Sequence, residues 1–172
     1  MSKYHAIMTN DVVNGEGVCV SFWVQGCPHH CPGCFNPETW DFKEGQPYTE
    51  HTKWEIIEDI GANGLTRNFS ILGGEPLDER NLAMVEEVVT SVRQAYPNIK
   101  IFLWTGYTIE DLSGIFDSRL GRILNTIDIL IDGPFIEEEK DLSLKLRGSK
   151  NQRIFHKVNG KFEEQIDKKA SE

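Results

Sequence analysis

Apolar residues in this 172-residue chain gather in four short runs, and each run breaks into a polar turn that contains glycine. Residues 18–24 (VCVSFWV) lead into Gly26-Cys27, and residues 69–72 (FSIL) into Gly73-Gly74-Glu75-Pro76. Residues 99–104 (IKIFLW) lead into Thr105-Gly106-Tyr107, and residues 127–131 (IDILI) into Asp132-Gly133-Pro134. Short β-branched and aromatic runs with breakers directly after them predict buried strands. Between them the apolar spacing becomes helical. Thr52 and Glu55 have capping-box spacing, which predicts a helix ending at Gly61 or Gly64. Asp78 can cap a second helix, on which Leu82, Val85, Val88, Val89 and Val92 form one apolar stripe before Pro97. Residues 112–125 are interrupted by Gly114 and Gly121 and predict two short helical pieces.

Strand, turn and helix repeated in this order predict βα units and a mainly parallel sheet in an α/β fold. A closed eight-stranded barrel usually takes about 250 residues, so this chain has room for an incomplete, open βα barrel. Near its end, residues 153–158 precede Asn159-Gly160, a hairpin signal. The expectation is one domain over residues 1–172, with a frayed polar tail from about residue 167. Parallel strands offer ligands their carboxyl ends, so the four glycine-containing turns should share one rim.

Composition removes several alternatives. A net charge of −9 without a basic cluster disfavours nucleic acid and anionic membranes as main partners. The first residues lack the apolar run of a signal peptide, and residues 18–24 are too short to span a bilayer. A cytoplasmic protein is expected.

Three of the four cysteines lie in Cys27-x3-Cys31-x2-Cys34. Clustered thiols in a reducing compartment point to a metal or redox site rather than to disulfides. Cys27, Cys31 and Cys34 with His29 or His30 could complete a tetrahedral zinc site. The same three thiolates could instead hold a [4Fe–4S] cluster, leaving one iron open to an exogenous ligand. Spacing alone leaves both metals open. Cys19, inside the first strand, reads as a small buried apolar residue. Gly73 and Gly74 would let backbone approach a ligand closely, with Glu75 offering a carboxylate to a positive amino group. The same turn could also be a plain strand-to-helix connection. Thr105 and Asp132 follow later strands and could bond a ligand or a cation, or serve capping and turn chemistry.

The cysteine array after a first strand, followed by Gly73-Gly74-Glu75-Pro76 after a second, resembles the radical S-adenosylmethionine enzymes. A finer set of motifs runs in order from about residue 11 to residue 153: residues 14–17 (NGEG), 26–36 (GCPHHCPGCFN), 104–107 (WTGY), 131–135 (IDGPF) and 147–153 (RGSKNQR). Together they resemble the anaerobic ribonucleoside-triphosphate reductase activating proteins. The resemblance implies a radical-SAM type of open barrel, with one [4Fe–4S] cluster on Cys27, Cys31 and Cys34. Its open iron would bind S-adenosylmethionine. Gly73, Gly74 and Glu75 would receive the methionyl amino group, while Thr105 and Asp132 would contact the methionyl or ribose end. Reductive cleavage would yield a radical that makes a glycyl radical on the large subunit of the reductase. A low-potential electron donor such as flavodoxin would serve the reaction, and a homodimer fits the family. The wider superfamily places an aromatic residue where this chain has Gly33, and Phe35 could replace it against the adenine. Arg147, Ser149, Asn151 and Gln152 would lie near the site or the partner surface. Two rivals stand beside this reading: the same chemistry on a small molecule, and a zinc-dependent interaction module.

Overall fold

A computed structural model describes residues 2–166, so the tail expected from residue 167 lies outside the described residues. The strands are β1 (Lys3–Asp11), β2 (Cys19–Val24), β3 (Gln46–Pro47), β4 (Asn68–Gly73), β5 (Ile101–Trp104), β6 (Ile129–Asp132), β7 (Arg153–Val158) and β8 (Lys161–Glu164). Among the described residues they form one open sheet in the order β3-β1-β2-β4-β5-β6-β7-β8. The α/β class and the open edge agree with the expectation. The mainly parallel sheet does not.

Only the centre is parallel. β2, β4, β5 and β6 pair in parallel through three ladders. Antiparallel pairing on both flanks contributes four more ladders, so antiparallel pairs predominate. The first flank has no sequence signal because β1 (KYHAIMTND) buries only Tyr4 and Asp11 and its one apolar run, Ala6-Ile7-Met8, is three residues long. The other flank was half visible. Asn159 and Gly160, both at positive φ, turn β7 into β8 as the hairpin signal required.

The crossovers are helical: α1 (Glu50–Ile60), α2 (Leu82–Ala95), α3 (Ile109–Ser113) and α4 (Ser118–Thr126). Thr49, not Thr52, is the N-cap of α1; Thr52 closes the box from the third helical position. Asp78 does not cap α2, which starts after Asn81; its carboxylate binds Arg80 instead. The predicted stripe on α2 is fully buried. Two short pieces do replace one helix, but the break falls between Ser113 and Ser118, and Gly121 lies within α4.

Strand alternation divides the sheet into two faces. Val20, Phe22, Ile71, Leu103 and Leu130 join α1, α2 and α4 in one apolar core. Phe102, Ile129, Ile131 and Ile154 turn the other way and form a smaller cluster with Trp104 and Leu146. That second face carries the cleft, and among the described residues no member of α1–α4 lines it.

Candidate active site

A cleft of about 890 Å³ opens along this second face. Cys27, Cys31, Cys34, Gly73, Gly74, Glu75 and Thr105 all line it. The shared rim is therefore real, and it brings together segments from the ends of β2, β4 and β5. Asp132 stands apart. Its carboxylate accepts from the Ile109 N–H at 2.9 Å and from Arg153 Nη2 at 2.6 Å, while its neighbour Gly133 reaches the cleft.

The cysteine loop is tied at its base by two backbone bonds, Gly26 N–H to Thr39 O at 2.7 Å and Cys27 N–H to Trp40 O at 3.0 Å. The glycine turn after β4 packs directly against it: the Glu75 N–H donates to Gly26 O at 2.8 Å. A Cβ on Gly74 would sit 2.5 Å from that same carbonyl oxygen, so only glycine fits there. Gly33 has a similar reason. Its φ of +74° strains any other residue, and the Glu137 carboxyl carbon, 2.8 Å from where a Cβ would lie, would have to move aside. Phe35 lies on the cleft wall instead, half exposed, its ring 5.0 Å from that of Phe135.

Glu75 is 1% exposed, and its carboxylate is already shared. Oε1 accepts from the Gly106 N–H at 2.7 Å and meets His29 Nε2 at 2.7 Å. Oε2 accepts from the Leu77 N–H at 2.9 Å and from the Thr105 hydroxyl at 2.9 Å. A carboxylate expected to face a ligand is thus the knot that joins three strand-end segments. The Thr105 hydroxyl also accepts from the Tyr107 N–H at 3.1 Å. The bond to Glu75 holds the His29 imidazole pKa above its ordinary value, against the opposing effect of burial.

Burial pushes the Cys27 thiol up to about 11 and raises that of Cys31. Cys19 is fully buried, donating to Glu16 O at 3.4 Å, as its strand position predicted. His30 stacks flat on Trp40, with ring centroids 4.5 Å apart and planes at 7°. Among the described residues no three His, Cys, Asp or Glu side chains gather as a single-ion site.

The 147–153 segment gains a structural explanation. The Gln152 side-chain carbonyl accepts from the Gly148 N–H at 2.8 Å, and its amide donates to Gly133 O at 3.0 Å. Asn151 donates to Pro134 O at 2.7 Å. These bonds fasten the wall formed by residues 144–148 to the turn after β6. Lys145 and Arg147 on that wall line the cleft, as does Trp23; Lys145 and Trp23 lie outside the sequence motifs, because isolated side chains carry no pattern.

An open α/β sheet with three thiols in a cleft at its strand ends defines the class of protein. Comparison with known families narrows it: residues 13–155 match the family described as 4Fe-4S single cluster domain. The anaerobic ribonucleoside-triphosphate reductase-activating protein of Escherichia coli (strain K12) is 36% identical over 155 residues, covering 90% of this chain and 98% of that one. The protein of the same name from Vibrio cholerae is 40% identical over 153 residues, covering 88% and 96%. That of Enterobacteria phage T4 is 35% identical over 160 residues, covering 92% and 96%. The chain belongs to the 4Fe-4S single cluster domain family, among the anaerobic ribonucleoside-triphosphate reductase-activating proteins. No helix among the described residues is long and apolar enough to cross a membrane.

Proposed function

We propose that the chain is an enzyme that activates an anaerobic ribonucleoside-triphosphate reductase by generating a glycyl radical on it, with a [4Fe–4S] cluster and S-adenosylmethionine. The observation that carries this reading is the meeting of Cys27, Cys31 and Cys34 with the Gly73-Gly74 backbone in one cleft. The donor set suits a cluster. Three thiols share the cleft, Cys19 is buried below with its sulfur bonded to Glu16 O, and both nearby histidines have partners elsewhere. A cluster held there by Cys27, Cys31 and Cys34 would keep one coordination position for an exogenous ligand.

When bound, the cluster would supply the one-electron reduction of S-adenosylmethionine from which the glycyl radical on the reductase derives. The chain's own residues do the rest. Gly73 and Gly74 bring backbone to the cofactor's amino group, with Glu75 holding the turn rather than reaching the ligand, since its carboxylate is already shared. Thr105 keeps that carboxylate in place. Asp132 stays outside the cleft, where its carboxylate fixes the start of α3 through Ile109 and the start of β7 through Arg153. Phe35 and Phe135 offer an aromatic wall for the adenine. The fold is then the radical-SAM type of open barrel. Its uncovered cleft is where the reductase closes over the radical, and a low-potential donor such as flavodoxin supplies the electron.

The test is anaerobic incubation of the iron-loaded protein with S-adenosylmethionine, a reductant and the reductase, followed by electron paramagnetic resonance. A glycyl signal on the reductase is expected, and its absence overturns the reading. Cys31→Ala should remain folded yet bind less iron and give no signal. Stoichiometric zinc without acid-labile sulfide in anaerobically purified protein would instead establish the interaction module.

A further inference from the structure

The two histidines between Cys27 and Cys31 are not ligands of the proposed cluster, and each has a partner outside the cysteine loop. Residues 25–31 have no helix or strand, so something else must give the loop a single shape. Its base is tied to Thr39 and Trp40 through backbone, and Cys34 bonds back to Cys31 O at 3.0 Å. Between those ties, the rings of His29 and His30 reach in different directions.

His29 reaches across the cleft rim. Its Nε2 meets Glu75 Oε1 at 2.7 Å, and its ring stands edge-on to Tyr107, with centroids 4.7 Å apart at 76°. It also fills the space above Gly106, where a Cβ would lie 2.6 Å from its Cδ2. His30 has φ of +46°, a left-handed conformation in which histidine is enriched among non-glycine residues. That conformation lays its ring flat on Trp40, whose carbonyl also accepts the Cys27 N–H. One ring joins the loop to the ends of β4 and β5. The other joins it to the segment that follows it.

We propose that His29 and His30 hold the cysteine loop in its cluster-receiving shape before any cluster arrives, His29 through Glu75 and His30 through Trp40. This rests on the reading of Cys27, Cys31 and Cys34 as ligands. The ordering of the loop is then completed during folding, and cluster uptake does not have to supply it. His29 is a positioning residue, since it acts on the thiols through the loop. Because Glu75 follows Gly73-Gly74 directly, the same link joins the cysteine loop to the turn assigned to the cofactor's amino group.

The experiment uses the full chain, freed of iron, with His29→Leu, His29→Gln, His30→Leu and His30→Phe. Uptake of ferrous iron and sulfide is followed by visible absorption, and amide hydrogen exchange is measured at residues 27–36. Uptake by His29→Leu should slow by about 10-fold, the lower end of what loss of an outer hydrogen-bond partner costs a metal site. Exchange across the loop should rise while the thermal midpoint stays near that of the parent. The His29→Gln amide can still donate to Glu75, so it should restore most of the rate. His30→Phe keeps an aromatic ring for Trp40 and should exceed His30→Leu. The reduced cluster of His29→Leu should give a broadened paramagnetic signal that responds weakly to S-adenosylmethionine.

Parent-like uptake and exchange in both leucine variants would overturn the proposal. So would a His29→Gln as impaired as His29→Leu, because a donor to Glu75 would then not be what holds the loop. If His29→Leu does not fold, the His30 pair decides. If the parent takes up iron without sulfide, the ligand reading fails, and exchange in the iron-free chain still tests the clamp.

Discussion

Glu75 and Asp132 are a matched pair by position and opposites by use. Glu75 lies just beyond a parallel strand and Asp132 ends one, each is buried, and each is a sequence-level candidate to meet a ligand. The donors around Glu75 come from His29, Leu77, Thr105 and Gly106, so its carboxylate draws the ends of three segments together around the cleft. Those around Asp132 come from Ile109 and Arg153, so it fixes the start of α3 and the start of β7. A buried carboxylate at a strand end is therefore defined by which way its donors lie, not by its place in the sheet. The two should separate when stability and cluster content are measured on the same variants.

The largest effect is expected at Glu75. Glu75→Leu leaves the Leu77 and Gly106 N–H groups without their acceptor, and each unsatisfied buried donor costs about 1–3 kcal/mol. A loss of about 4 kcal/mol is expected in urea unfolding of the iron-free chain, after the side chains of His29 and Thr105 find other partners. Cluster uptake should fall with it. A variant that loses little stability and retains its cluster would show that the three segments are held by something else.

Asp132→Asn should cost less and leave the cluster alone. Removing one member of a buried ion pair commonly costs 3–5 kcal/mol. Here Arg153 keeps its two bonds to Glu110, and an asparagine carbonyl can still accept from Ile109, so about 2 kcal/mol is expected. Iron and sulfide content should match the parent. If cluster content falls as it does for Glu75→Leu, the contrast between the two carboxylates collapses.

The legible and illegible parts of this molecule divide on the same physical line. β2, β4, β5 and β6 were readable because central parallel strands are buried on both faces and read as continuous apolar runs. β1 was not, because a partly exposed strand with His5, Thr9 and Asn10 in it keeps only the three-residue run Ala6-Ile7-Met8, and with it went the antiparallel flank. At the site, the cysteine spacing and the paired glycines were visible because they are local. The seal on Glu75 was not: His29 lies 46 positions before it and Gly106 31 after it. No local pattern announces that a carboxylate will be enclosed by partners so distant.

Thr105 gives the smallest expected effect and the sharpest question about the Glu75 side of the comparison. Thr105→Val keeps the volume and removes the hydroxyl. Glu75 Oε2 still has the Leu77 N–H, so the carboxylate is not orphaned, while the Tyr107 N–H loses its acceptor. A cost of about 1 kcal/mol in unfolding follows, and Thr105→Ser should recover most of it. Affinity for S-adenosylmethionine, measured on the cluster-loaded protein, then separates two roles. A threonine that only supports Glu75 changes affinity little beyond that cost, because the turn at Gly73-Gly74 stays in place. A threonine that bonds the cofactor itself loses affinity out of proportion to stability, and its hydroxyl would have to leave Glu75 on binding.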